Sequence, residues 1–159
     1  MVDGPGFRTS IYCAGCNHQC PGCHNPQSWD FNGGREMSTA ELMHIIMADP
    51  FANVTFSGGD PMYQAAGFAE LARAVHEHSN KDIWCYTGYT GFTFESLIND
   101  DQRELLEQID VLVDGPFIEK QRDPDLLFRG SSNQRLIDVQ ASLYAGEVIL
   151  WQPDVLIPR

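Results

Sequence analysis

The chain has 159 residues, 43% apolar and 20% charged, which is enough for one globular domain with a real core. Its formal net charge of −12 supplies no Lys/Arg stripe for counterion release, so nucleic acid is excluded as an expected partner. No run is apolar for long enough to span a membrane, and Met1-Val2-Asp3-Gly4-Pro5 lacks the charged and apolar regions of a signal peptide. A cytoplasmic protein with no membrane partner is therefore expected, in a compartment where thiols stay reduced.

In chain order, residues 7–12 read as a strand that runs straight into a cysteine-rich loop. Ser38-Thr39-Ala40-Glu41 is a capping-box pattern, followed by Leu42, Ile45 and Ile46 at helical spacing. Residues 53–57 form a short apolar strand cut off by Gly58-Gly59-Asp60-Pro61. A helix over 64–78 presents Phe68, Leu71, Ala72 and Val75 on one face. A strand over 82–86 ends in Thr87-Gly88-Tyr89. A helical stretch over 94–108, interrupted near Asn99-Asp100, leads to a strand over 110–114 that ends in Gly115-Pro116. Beyond it the chain reads as irregular until two late strands, over 136–139 and 147–151.

Strands alternating with helices imply a mainly parallel α/β sheet built from right-handed crossovers of about 30 residues each. Four or five such units are too few for a closed eight-stranded barrel. An open, curved partial barrel or a doubly wound sheet remains, as a single domain over 1–159 with a tail from about 136. The cysteine loop, Ser57-Gly58-Gly59-Asp60, Thr87-Gly88-Tyr89 and Asp114-Gly115-Pro116 each follow the C-terminal end of a strand. In parallel α/β folds ligands bind at that edge, so the four loops are expected to share one rim.

The cysteine loop, residues 13–24, holds four of the five cysteines: Cys13, Cys16, Cys20 and Cys23. An odd total and spacings of two or three residues argue against disulfides and for a metal site. Zinc sites usually join two C-x2-C hooks through a spacer of roughly twelve or more residues, whereas three residues separate Cys16 from Cys20. That spacing suits one loop wrapped around an iron–sulfur cube. Cys16-x3-Cys20-x2-Cys23 is a natural set of three ligands, which leaves one iron open to a substrate. Structural zinc held by all four thiols is the alternative. His18 reads as a solvated loop residue, while His24 is placed to pack against or hydrogen-bond a cofactor.

The other polar motifs are less specific. Gly58 and Gly59 let the backbone approach a ligand without Cβ interference, and Asp60 adds a fixed acceptor for an ammonium group. The plainer reading of this segment is a tight turn into the next helix. Arg8 either meets an anion at the rim or serves only the opening turn. The polar run Arg129-Gly130-Ser131-Ser132-Asn133-Gln134-Arg135 either binds a ligand or caps an element. Cys85 reads as a buried small hydrophobe, and His76 and His78 as solvated. No Ser/His/Asp set, Walker loop or H-E-x-x-H motif provides hydrolytic machinery.

The cysteine triad after the first strand, with Ser57-Gly58-Gly59-Asp60-Pro61 after the second, resembles the radical S-adenosylmethionine (SAM) enzymes. Asp3-Gly4-Pro5-Gly6 narrows the resemblance to the glycyl-radical-activating enzymes. Cys20-Pro21-Gly22-Cys23-His24-Asn25, Asp82-Ile83-Trp84, Thr87-Gly88-Tyr89, Val113-Asp114-Gly115 and the run 129–134 are similar to the branch serving the anaerobic ribonucleoside-triphosphate reductase. The likeness reaches from the first residues to about Arg135.

That resemblance implies a partial (β/α) barrel of the radical SAM type, with a [4Fe–4S] cluster on Cys16, Cys20 and Cys23. It implies SAM held at Gly22, Cys23, His24, Gly58, Gly59 and Asp60, with Gly59 and Asp60 at the methionine ammonium. The implied activity is reductive cleavage of SAM to a 5′-deoxyadenosyl radical that takes hydrogen from a glycine of the reductase. The implied partners are that reductase and a small electron donor such as flavodoxin. A different glycyl-radical enzyme as the target, or a zinc-stabilised interaction module, are the alternatives. Cys13 is an extra thiol relative to the pattern, and Asp60 stands where the wider family commonly has Glu. The chain is also expected to start inside the family's usual first segment.

Overall fold

Nine regular elements follow from the local sequence in the computed structural model, which describes residues 4–13, 37–89 and 99–152. They are β1 (Arg8–Cys13), α1 (Thr39–Ala48), β2 (Asn53–Gly58), α2 (Ala65–His78), β3 (Ile83–Tyr86), α3 (Asp100–Gln108), β4 (Val111–Asp114), β5 (Arg135–Asp138) and α4 (Val139–Ala145). The helix starts are set by side chains that accept otherwise unpaired backbone N–H groups. Ser38 Oγ accepts from Glu41 N at 3.1 Å and the Glu41 carboxylate accepts from Ser38 N at 3.3 Å, the expected capping box. Asn99 caps α3 through Gln102 N at 2.8 Å, so the described helix starts at Asp100; residues 94–98 of the expected helical stretch lie outside the described residues.

The strands form one sheet in the order β1-β2-β3-β4-β5, the first four parallel and β5 antiparallel to β4. Consecutive order leaves no point where the winding reverses, so the sheet is not doubly wound. Alternating residues separate its two faces. Val54, Phe56, Ile83, Cys85, Leu112 and Ile137 pack with buried residues of α1, α2, α3 and α4, so the four described helices cover the same face. On the other face Trp84, Val111 and Val113 are covered by Phe128, Leu136 and Trp151. The rings of Trp84, Phe128 and Trp151 meet edge to face, with Trp84 and Trp151 centroids 4.9 Å apart.

The late part of the chain departs from expectation. The strand expected at 136–139 is β5, but Val139 leaves it and opens α4, a helix the sequence reading did not contain. Asp138 Oδ1 accepts from Ala141 N at 3.1 Å to start that helix, and Gly146 ends it at φ 73°. The second late strand does not form. Residues 147–151 contribute only an isolated bridge, Ile137 to Leu150, and two flanking bonds to β5. Among the described residues no helix is long and apolar enough to cross a membrane.

Candidate active site

The parallel register brings the C-terminal ends of β1 to β4 to one edge, as Cys13↔Gly58, Phe56↔Cys85 and Tyr86↔Val113 show. The loops leaving that edge are tied to one another in sequence. Gly59 N–H donates to the Cys13 carbonyl at 2.7 Å. Asp60 reaches the next loop: Oδ2 accepts from Thr87 Oγ1 and from Gly88 N, each at 2.9 Å. Its Oδ1 accepts from Met62 N at 3.0 Å, capping the 3-10 turn Pro61–Gln64 that leads into α2. Gly115 N–H then donates to the Tyr89 carbonyl at 2.8 Å. The shared rim expected from strand order is therefore present for the described loops.

Gly58 sits where the packing is tightest. Its φ is +98°, and a Cβ there would lie 2.5 Å from Cys13 N. Only glycine supplies both that conformation and that approach. Cys13 closes β1, is 8% exposed, and belongs to the core between sheet and helices. Cys85 is fully buried, and burial, with Asp60 and Cys13 nearby, pushes its thiol well above the usual range. It stays a protonated hydrophobe, as the sequence suggested. Cys16, Cys20, Gly22, Cys23 and His24 lie outside the described residues, as does His18. Among the described residues no three His, Cys, Asp or Glu side chains are grouped to hold a metal.

Asn133, Gln134 and Arg135 of the polar run at 129–135 bond to the β4 end and support the rim. Gln134 Oε1 accepts from Gly130 N (2.8 Å) and Ser131 N (3.1 Å), while its Nε2 donates to the Gly115 carbonyl at 3.0 Å. Asn133 Nδ2 donates to the Pro116 carbonyl at 2.8 Å. Arg135 grips the buried Asp114 carboxylate through two bonds, at 3.0 and 2.5 Å, which raises the already high pKa of its guanidinium. Of the two readings the sequence left open, the structure takes capping.

Arg8 lies at the opposite edge, at the start of β1. Its guanidinium donates to Thr55 Oγ1 and the Val54 and Pro5 carbonyls, pairs with Asp82, and stacks 5.6 Å over Trp84. Its side chain is 3% exposed, so a ligand role at the rim is ruled out for it by position. A hollow of about 210 Å³ also opens at that lower edge, lined by Asp82, Trp84, Asp110 and Asp138 among others. Its acids are already engaged: Asp82 by Arg8, Asp110 by Ile83 N at 2.8 Å, and Asp138 by the start of α4. His76, exposed as expected, nevertheless caps α3 by donating from Nε2 to the Gln108 carbonyl at 2.6 Å.

Comparison with known proteins fits this frame. A family described as a 4Fe-4S single cluster domain matches residues 2–137. The anaerobic ribonucleoside-triphosphate reductase-activating protein of Vibrio cholerae is 43% identical over 143 residues, 84% of this chain and 89% of that protein. The proteins of the same name from Escherichia coli K12 and Enterobacteria phage T4 are 37% and 36% identical. Those matches cover 84% and 86% of this chain and 90% and 86% of theirs. Spanning most of both partners in each case, these matches show that the chain belongs to the 4Fe-4S family of anaerobic ribonucleoside-triphosphate reductase-activating proteins.

Proposed function

We propose that this protein activates an anaerobic ribonucleoside-triphosphate reductase by radical SAM chemistry, on a sheet that is a partial (β/α) barrel. The carrying observation is the bond from Gly59 N–H to the Cys13 carbonyl, because it starts the cysteine loop at the Gly-Gly-Asp rim. Cys16, Cys20 and Cys23 would hold a [4Fe–4S] cluster, and three thiolates on a cube leave one iron open. The donor set fits the group, and the core position of Cys13 supports its exclusion from that set.

When bound there, the cluster would supply the one-electron reduction that cleaves the SAM sulfonium to methionine and a 5′-deoxyadenosyl radical, the chemistry by which hydrogen would be taken from a glycine of the reductase. The protein's part is to bind, orient and exclude water. Gly22, Cys23 and His24 of the cysteine loop, together with Gly58, Gly59 and Asp60, would contact the cofactor. The glycines let backbone carbonyls and N–H groups stand close to the methionine end. Single winding with the described helices on one face supports the partial barrel, because among the described residues the opposite face carries no crossover helix. The electron donor would be a small reducing protein such as flavodoxin, in the cytoplasm.

Anaerobically purified protein should be brown, with iron and acid-labile sulfide. Reduced protein mixed with SAM and the reductase should give a glycyl doublet by electron paramagnetic resonance. Colourless protein with one zinc per chain would sink the cluster. Cofactor cleavage without a doublet would mean a different target enzyme.

A further inference from the structure

A carboxylate that recognises a ligand ammonium should turn an oxygen toward the ligand. Asp60 does the reverse. It is 1% exposed, and both oxygens face protein donors: Met62 N on Oδ1, and Thr87 Oγ1 and Gly88 N on Oδ2. Thr87 is itself buried, donates its N–H to the Val113 carbonyl at 2.9 Å, and accepts Tyr89 N on Oγ1 at 3.2 Å. Asp60 is thus the middle link of a belt. Cys13 binds Gly59, Asp60 binds Thr87 and Gly88, Tyr89 binds Gly115, and Gly115 binds Gln134. The Tyr63 and Tyr89 rings, 5.7 Å apart, are a second, apolar contact between the β2 and β3 loops.

Resting on the SAM reading above, we infer that Asp60 is a positioning residue: it locks the Gly58-Gly59 backbone against the Thr87-Gly88 loop, and rim backbone carbonyls receive the methionine ammonium. The three donors make its geometry rigid, because charge-assisted bonds to a buried carboxylate are short and strong. Removing one of them leaves a buried N–H or carboxylate oxygen without its partner, so the loop would shift rather than merely lose a contact. A direct acceptor would behave otherwise, since its loss would matter only to ligands that carry the ammonium.

The test compares Asp60→Asn and Thr87→Val with wild type, using SAM and its desamino analogue as ligands of the iron-loaded protein. Amide hydrogen exchange of Met62 and Gly88 is followed in the cofactor-free chain. A clamp predicts that each variant weakens both ligands by the same factor, of about tenfold, as for one charge-assisted bond lost from the rim. It also predicts faster exchange at Gly88 in both variants and at Met62 in Asp60→Asn. The inference is overturned if Asp60→Asn weakens SAM alone while Thr87→Val leaves it unchanged. It is equally overturned if exchange at Gly88 does not change. Iron-loaded wild type that binds neither ligand would sink the SAM reading and the inference with it, a result the exchange data tell apart from failure of the clamp.

Discussion

Gly59 donates its N–H to the Cys13 carbonyl at 2.7 Å, one residue past the point where Gly58 pairs with Cys13 in the sheet. The end of β1 and the Gly-Gly-Asp loop therefore move as one body. Any change that separates them should disturb the start of the cysteine loop and the rim together.

Gly58→Ala makes that separation. A Cβ would meet Cys13 N at 2.5 Å and Cys13 O at 2.7 Å, both backbone atoms that cannot swing aside, at a φ of +98°. We expect a loss of about 2–4 kcal/mol in urea unfolding of the cofactor-free chain, from strain and displaced backbone together. Iron loading should fall as well. An unfolding midpoint equal to wild type would show that the crossing is looser than described.

The cysteines should divide cleanly. Cys13→Ala removes one sulfur from a core that includes Phe56 and Cys85, costing about 1 kcal/mol, and should leave iron and sulfide content unchanged. Cys16→Ala, Cys20→Ala or Cys23→Ala should each abolish cluster assembly. Iron lost in Cys13→Ala but kept in Cys16→Ala would reassign the ligand set.

Arg8 gives a stability effect with no binding effect. Arg8→Met keeps part of the stem over Trp84 but removes the donors to Thr55 Oγ1 and the Val54 carbonyl and the charge paired with Asp82. The expected cost is about 2–4 kcal/mol, as for a buried charge-assisted group removed from its acceptors. SAM affinity of the folded, iron-loaded variant should equal wild type. A tenfold loss of affinity at unchanged stability would restore Arg8 to the rim.

What could be read in advance follows from how local its cause is. The capping box at Ser38 and the apolar face of α2 need only neighbours in sequence, and both form as read. Gly58-Gly59-Asp60 reads as a ligand loop or a tight turn, but that Asp60 would reach Thr87 and Gly88, 27 and 28 residues on, depends on strand order. Arg8 likewise meets Asp82 across 74 residues, and no local pattern marks that pairing. Helix α4 was legible in principle, from Asp138 before it and Gly146 after it. Its seven residues were too few for helical spacing to outweigh the apolar run that makes β5. The polar run at 129–135 could not be resolved beforehand, because its bonds to Gly115 and Pro116 are set by the antiparallel pairing of β4 with β5.

Asp110 provides a pH test at the edge away from the rim. Burial raises its carboxyl pKa, against the N–H of Ile83 and the charges of His76 and Arg8, which lower it; Asp82 adds to the rise. A folded-state pKa above the unfolded one means that the native chain holds this proton more tightly. The associated stability is fully present below the ordinary carboxylate value of about 4 and is lost as pH rises through the shifted value. Ionised Asp110 thus stabilises the fold less than its protonated form does. Asp110→Asn keeps an oxygen to accept from Ile83 N, now at 2.8 Å, without the charge. Urea midpoints of the cofactor-free chain from about pH 4 to 8 should show the variant near wild type in acid and more stable at neutral pH. A variant less stable than wild type at neutral pH would show that attraction to Arg8 and His76 outweighs the burial of Asp110.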